Sequence, residues 1–226
     1  MYGSTGFIGN RFMQMFGKDY NIYAPNIDQV DLLNIESITK YSRDVHNTTG
    51  IDSFDFVLMC AGAGVDYHNK YKMMEYITML TNILCVFRDK KIIYIGSGID
   101  SGYPEPLGKY AYYGEARKIC REIIDKFGGQ IINLRVFGAY GIGDNTEKFI
   151  PKTIYNLLNN KKIVIKNNNY IDFIYVDDIC KIINLFMSKE KDIRSIKHGL
   201  VWDSGFKGSF DVGTGSLTKL SDIHNI

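Results

Sequence analysis

The sequence predicts an α/β protein built on a doubly wound parallel sheet, with a small C-terminal region added to it. Three observations predict this. Glycines at 3, 6 and 9 form a tight turn that opens directly onto a helical pattern. Strand and helix patterns then alternate along the chain. The segments at 54–60, 91–95 and 131–137 are apolar almost without a break, which marks strands covered on both faces.

Each element follows in order. Phe12, Met13, Met15 and Phe16 give the first helix an apolar side, and Gly17 is placed to stop it. Residues 20–24 read as a short strand. Residues 35–45 read as a helix, with Asn34 positioned as its N-cap. The strand at 54–60 ends in Ala61-Gly62-Ala63-Gly64. A long helix covers 71–87, and the buried strand at 91–95 ends in Gly96-Ser97-Gly98. The clearest helix is 113–127, where Ala116, Ile119, Cys120, Ile123, Ile124 and Phe127 repeat at steps of three and four. Gly128-Gly129 closes it, and the strand at 131–137 follows. Beyond about 147 the pattern loosens. It reads as a helix at 149–158, strands at 162–165 and 170–176, and a helix at 178–187. A strand at 209–212 and a helix starting near Leu217 complete it. The division is a nucleotide-binding layer over 1–146 and a substrate-binding region over 147–226, interleaved with late sheet elements.

Composition removes several alternatives. Hydrophobic residues make up 45% of the 226, and charged residues 23%, the balance of a globular protein that can bury its own core. A formal charge of +2 argues against nucleic acid as a partner, and Lys161-Lys162 reads as a solvated turn. Cys60, Cys85, Cys120 and Cys180 are widely spaced within apolar segments and read as buried free thiols. The four histidines lack metal-ligand spacing, so no metal is expected. No apolar run approaches the roughly 18–20 residues needed to span a bilayer, and no signal peptide opens the chain. Membrane association is therefore not expected, and the cytoplasm is the expected location.

The turn Gly3-Ser4-Thr5-Gly6-Phe7-Ile8-Gly9 carries the first functional reading. Glycines at these positions permit a tight turn and let backbone N–H groups approach a pyrophosphate. The helix behind the turn directs its positive end at the same anion. With a strand following that helix, the pattern is that of a Rossmann-type dinucleotide site.

Four further segments join the turn in one order. They are Val30-Asp31-Leu32-Leu33, then Cys60-Ala61-Gly62, then Ile95-Gly96-Ser97 followed by Tyr113. The last is a pair: Asp172-Phe173-Ile174-Tyr175-Val176-Asp177-Asp178-Ile179 and Phe210-Asp211-Val212-Gly213-Thr214-Gly215. Together they resemble the extended short-chain dehydrogenase/reductases, in their NAD-dependent epimerase/dehydratase branch. The resemblance implies a seven-stranded parallel sheet, NAD or NADP as cofactor, and a Ser/Thr-Tyr-Lys catalytic set. Ser97 and Tyr113 match the serine and tyrosine. The lysine position is held by Arg117, four residues after the tyrosine. The cofactor set implied is Gly3, Thr5, Gly6, Phe7, Ile8, Gly9, Asp31, Leu32, Cys60, Ala61, Gly62, Tyr113, Arg117 and Phe137.

The chemistry of such a set is a proton transfer coupled to a hydride transfer. A tyrosine is a poor base at neutral pH, and a nearby cation favours its phenolate. It can then exchange a proton with a sugar hydroxyl that the serine hydrogen-bonds. The four-residue spacing sets residue 117 on the same helix face as Tyr113, within expected reach of the cofactor ribose. Arginine keeps the charge of lysine but not its shape.

The reaction is narrowed by departures from the family pattern. Dehydratases carry an Asp-Glu pair directly after the catalytic residue, where this chain has Gly98-Ile99. Members that both epimerise and reduce carry a cysteine at the position of Ile99. That leaves a 4-epimerase or a 4-keto reductase acting on a nucleotide sugar. The alternative is a non-catalytic or weakly active dinucleotide-binding protein, suggested by Arg117 and by Ile171, which stands where the family has an arginine near the substrate phosphates. Ala24-Pro25-Asn26 does not separate NAD from NADP. Asp177 or Asp178 is expected to cap the helix that starts there. The resemblance also implies a homodimer paired through the helices at 71–87 and 113–127. Because only Met1-Tyr2 precede the glycine turn, the expectation is a clipped sequence, or a reading frame opened at an internal methionine.

Overall fold

The structure, a computed structural model, describes residues 1–51, 54–64, 69–101, 110–165, 168–188 and 207–223. Helix α1 (Phe7–Phe16) leaves the glycine turn and stops at Gly17. Helix α2 (Ile35–Thr49) is capped by Asn34, whose Oδ1 accepts from the N–H groups of Glu36 and Ser37 at 2.9 and 3.3 Å. Strand β1 (Phe56–Met59) leads to α3 (Lys70–Val86), β2 (Lys91–Ser97) to a 3-10 turn (Gly98–Ser101) and α4 (Ala111–Lys126), and then comes β3 (Ile131–Val136). Shorter pieces follow: β4 (Ala139–Tyr140), α5 (Phe149–Leu158), β5 (Tyr170–Asp172) and β6 (Ile174–Tyr175). Helix α6 (Val176–Met187), β7 (Gly208–Val212), β8 (Leu217–Lys219) and α7 (Leu220–Ile223) complete the order.

Strands β1, β2, β3 and β7 form a parallel sheet in that order. Its two faces are built by the two-residue alternation of strands. Ile92, Tyr94 and Ile131 point to one face, where they pack with Ile38 of α2, Leu80 and Ile83 of α3, and Cys120 and Ile124 of α4. Ile93, Ile132 and Leu134 point to the other, against Phe12 of α1 and Ile179 and Ile183 of α6. A helical layer on each face makes the fold a doubly wound Rossmann-type α/β sheet. Each such fully buried side chain contributes about 1.5–3 kcal/mol relative to its exposed state.

Several expectations are corrected. The sheet has four strands among the described residues, not seven, and the chain ahead of the glycine turn adds a single bridge from Tyr2 to Met59. Residues 20–24 form no strand. A strand needs a ladder, and the facing chain offers this segment one hydrogen bond, from the Met1 amino group to the Tyr23 carbonyl. Residues 162–165 form none either: no ladder partner faces them among the described residues, and Val164 is 67% exposed. Leu217–Lys219 is strand, not helix, because it pairs antiparallel with β5, and the helix starts only at Leu220. Neither Asp177 nor Asp178 caps α6. Both lie inside its first turn, where they still favour the helix dipole, and Asp177 is taken up by Arg11 of α1. Cys120 and Cys180 are buried, but Cys85 is exposed on α3 and Cys60 is half-buried.

Candidate functional site

The site gathers where the parallel strands end. Gly3 has φ +85, and a side chain there would overlap the backbone N–H of Ala61. Only glycine allows the turn to lie against the Cys60-Ala61-Gly62 segment that leaves β1. The pairing is fixed by Tyr2 N–H donating to the Leu58 carbonyl (2.9 Å) and Cys60 N–H donating to the Tyr2 carbonyl (2.8 Å). Gly9 packs on the Gly3 carbonyl, leaving no room for a Cβ. Gly6 differs. Its nearest neighbour to a Cβ would be the Gly3 carbonyl oxygen at 3.4 Å, so the space over it is open. Gly6 is the N-cap of α1 and gives it no side-chain cap, which leaves first-turn N–H groups to meet an anion. An open glycine on an uncapped helix start fits a pyrophosphate.

The remaining cofactor candidates lie on the segments that follow α1, β1 and β3. Asp31 is exposed, and its Oδ1 accepts from the N–H of Leu33 at 2.9 Å. The carbonyl of Leu32 is held by the side-chain amide of Asn82 on α3. Burial, and secondarily the neighbouring Cys180, push the Cys60 thiol up to about 12, so it stays neutral beside the turn. The Phe137 ring covers Gly98, whose missing side chain makes room for it.

The end of β2 and the start of α4 hold Ser97, Tyr113 and Arg117. Arg117 is 3% exposed and turned into the core. Its Nε donates to Asp100 Oδ1 at 3.2 Å, its Nη1 to the Tyr94 hydroxyl at 2.6 Å, and its Nη2 to the Ile95 carbonyl at 3.0 Å. The rings of Tyr76, Tyr94 and Tyr113 surround the guanidinium, with centroids 5.3, 5.0 and 5.9 Å away. Where a ribose contact was expected of residue 117, all three nitrogens meet groups of the protein. Asp100 is fully buried, and its second oxygen accepts the Ser97 N–H at 3.1 Å. Burial pushes the Asp100 carboxyl above its ordinary range, against the pull of Arg117, the Ser97 N–H and Asn133. Burial also opposes the charge on Arg117, yet Tyr94, Tyr113 and Asp100 hold it well above its ordinary value. Tyr113 packs edge-on against Tyr76 with centroids 5.6 Å apart.

A cavity of about 660 Å³ opens beyond β3, lined by Tyr110, Tyr140, Lys148, Phe149, Ile171 and Phe173, among others. Phe173 meets Tyr140 edge-on and lies near-parallel to Phe149. Lys148 pairs with Asp144 at 2.7 Å and stands 5.3 Å over the ring of Phe7, which joins this wall to the glycine turn. Asp172 has a bracing part: it accepts from Thr214 N–H and Oγ1 and from Gly215 N–H at 2.6–2.8 Å. A second cavity, about 460 Å³, lies along β1 against residues 20–23, toward the start of that strand.

Sequence reasoning missed Asp100, Tyr94 and Lys148. A signal existed for the first two. Arg117 falls among Gly114, Ala116, Cys120 and Ile124 on a buried helix face, and a buried cation needs a counter-charge and acceptors. Asp100 is the sole acid between Ile92 and Gly102.

A doubly wound sheet with a glycine cradle on an open helix start defines a dinucleotide-binding α/β protein. The chain belongs to the NAD dependent epimerase/dehydratase family, which matches residues 1–199. The family's cofactor is NAD or NADP, and the open Gly6 turn fits it. The chain is 26% identical, over 98% of its length and 77% of the relative, to an ADP-L-glycero-D-manno-heptose-6-epimerase of Brachyspira hyodysenteriae. Among the solved structures that share the fold are these two. One is a GDP-D-glycero-L-gluco-heptose synthase of Campylobacter jejuni in the presence of NADPH (TM-score 0.72, 15% identity, 98% of this chain and 82% of that one). The other is WbmG of Bordetella bronchiseptica in complex with NAD (TM-score 0.71, 12% identity, 99% and 74%). Among the described residues no helix is long and apolar enough to cross a membrane.

Proposed function

We propose that the protein is an NAD(P)-dependent 4-epimerase or 4-keto reductase acting on a nucleotide-linked sugar. One observation carries the reading: Ser97 and Tyr113 flank a single buried network, at the strand ends that also bear the glycine turn. Gly3, Gly6, Gly9 and the first turn of α1 would hold the pyrophosphate. When bound, the nicotinamide supplies hydride transfer. Tyr113 moves the proton at the sugar hydroxyl, and Ser97 Oγ donates a hydrogen bond to the same oxygen. The aromatic wall of Tyr140, Phe149 and Phe173 receives the nucleotide, and Lys148 supplies the cation that Ile171 does not. Exposed Tyr71 and Met74 on α3 and Tyr112 on α4 support pairing of two copies through these helices, which light scattering on the purified protein tests.

The test incubates the purified protein with NAD(H) or NADP(H) and a panel of nucleotide sugars. Turnover with a change in cofactor absorbance, or an epimer seen by NMR, is the expected result. Cofactor binding without turnover across the panel overturns the reading. The second reading is a dinucleotide-binding protein without activity, favoured by the commitment of Arg117 to core partners. Arg117→Lys separates the two. Activity confined to the lysine form identifies a lapsed enzyme, whereas good turnover by the natural chain removes that reading.

A further inference from the structure

We infer that Asp100 is a positioning residue that joins Ser97 to Tyr113 through Arg117. This rests on the reading above that Ser97 and Tyr113 are the reacting pair. Asp100 sits three residues past Ser97 in the 3-10 turn, and its side chain has no exposure to solvent. Its two oxygens serve different elements. Oδ2 accepts the backbone N–H of Ser97, at the end of β2, and Oδ1 accepts Nε of Arg117, on α4. Arg117 in turn lies against the Tyr113 ring one helical turn before it and reaches back to β2 through the Ile95 carbonyl and the Tyr94 hydroxyl. One carboxylate thus fixes the backbone that carries the serine and the cation that backs the tyrosine.

The physics favours a shared mount over a simple ion pair. A buried carboxylate and guanidinium lose much hydration, and an apolar pair of like volume often stabilises a core as well or better. What apolar side chains cannot supply is direction. The planar guanidinium meets three acceptors at fixed angles, and the carboxylate spans two elements. Asn133 and the Gly96 backbone close the network from below: a side chain on Gly96 would overlap Asn133 and approach Asp100 Oδ2 to 2.7 Å. The arrangement also accounts for arginine at position 117. A lysine presents its donors from a single point, whereas here three separate nitrogens of a planar fork each meet one acceptor.

The experiment compares Asp100→Asn with the double variant Asp100→Leu/Arg117→Met, which removes the mount but leaves an apolar pair that can fold. Three readouts are taken: kcat and KM on the nucleotide sugar that turns over, the NAD(H) Kd by fluorescence, and amide hydrogen exchange at Ser97. Both variants are expected to lose about 10–100-fold in kcat, with KM and Kd within about twofold of the parent. Ser97 N–H exchange is expected to accelerate in the double variant, which has no acceptor at position 100. If the double variant folds and keeps the parent's kcat, the pair is packing alone and the inference fails. It fails equally if KM rises while kcat stands, or if the Ser97 amide stays protected in the double variant. If the parent itself shows no turnover, the proposed function falls, and hydrogen exchange still decides whether Asp100 holds Ser97.

Discussion

Gly96 and Asn133 meet inside the sheet, so that a Cβ on Gly96 would overlap the Asn133 side chain and stand 2.7 Å from Asp100 Oδ2. Asn133 is fully buried on β3, and Ser97 is the next residue of β2. The gap over Gly96 is therefore filled by polar groups with little freedom to retreat. Gly96→Ala is expected to cost about 1–3 kcal/mol of stability through overpacking, read as a lower denaturation midpoint at unchanged m-value.

The glycines of the first turn separate binding from folding. Gly9 abuts the Gly3 carbonyl, whereas Gly6 faces open space. Gly6→Val is expected to weaken NAD(H) binding by roughly tenfold or more, measured by fluorescence, with the melting temperature lowered by no more than about 2–4 °C through the poorer cap. Gly9→Ala is expected to lower both. Equal loss of stability in the two variants would mean that Gly6 serves the turn and not the ligand.

Asn34 governs a local element, the start of α2. Its side chain caps α2 through two N–H groups. Asn34→Ala is expected to destabilise the protein by about 1 kcal/mol by equilibrium denaturation.

Acid should loosen the molecule through two carboxylates. Burial works against the charge of Asp172, yet the Thr214 hydroxyl and the N–H groups of Thr214 and Gly215 hold its carboxyl below the ordinary range. The Arg11 side chain does the same for Asp177, which ties α1 to α6. Groups with depressed folded values stabilise above the unfolded carboxylate value, near 3.9, and lose that contribution as pH falls through the folded one. Stability is thus expected to fall as pH drops below about 4, and Asp172→Asn and Asp177→Asn to flatten that limb. An unchanged acid limb in both variants would contradict the geometry.

Much of the fold was legible because the signals are local. The three- and four-residue repeat of α4, the apolar runs of β2 and β3, and the Asn34 cap each depend on neighbours within a few residues. The glycine turn is local in part: Gly9 packs on the Gly3 carbonyl, while Gly3 itself is held against the distant Ala61. Residues 20–24, 162–165 and 217–219 misled for the opposite reason. Strand character is settled by a ladder, and ladders are made with segments far along the chain.

By itself, the sequence determined the glycine cradle and the order of the elements from α2 to β3, and it nominated Ser97 and Tyr113, the pair of the proposed reaction. Only the tertiary structure decided where Arg117 points. Its spacing from Tyr113 gave it the right helix face, but the charge goes to whatever can compensate its lost hydration. Asp100 on the 3-10 turn, Tyr94 on β2 and the Ile95 carbonyl reach the guanidinium from across the fold, and a buried cation settles where its acceptors converge.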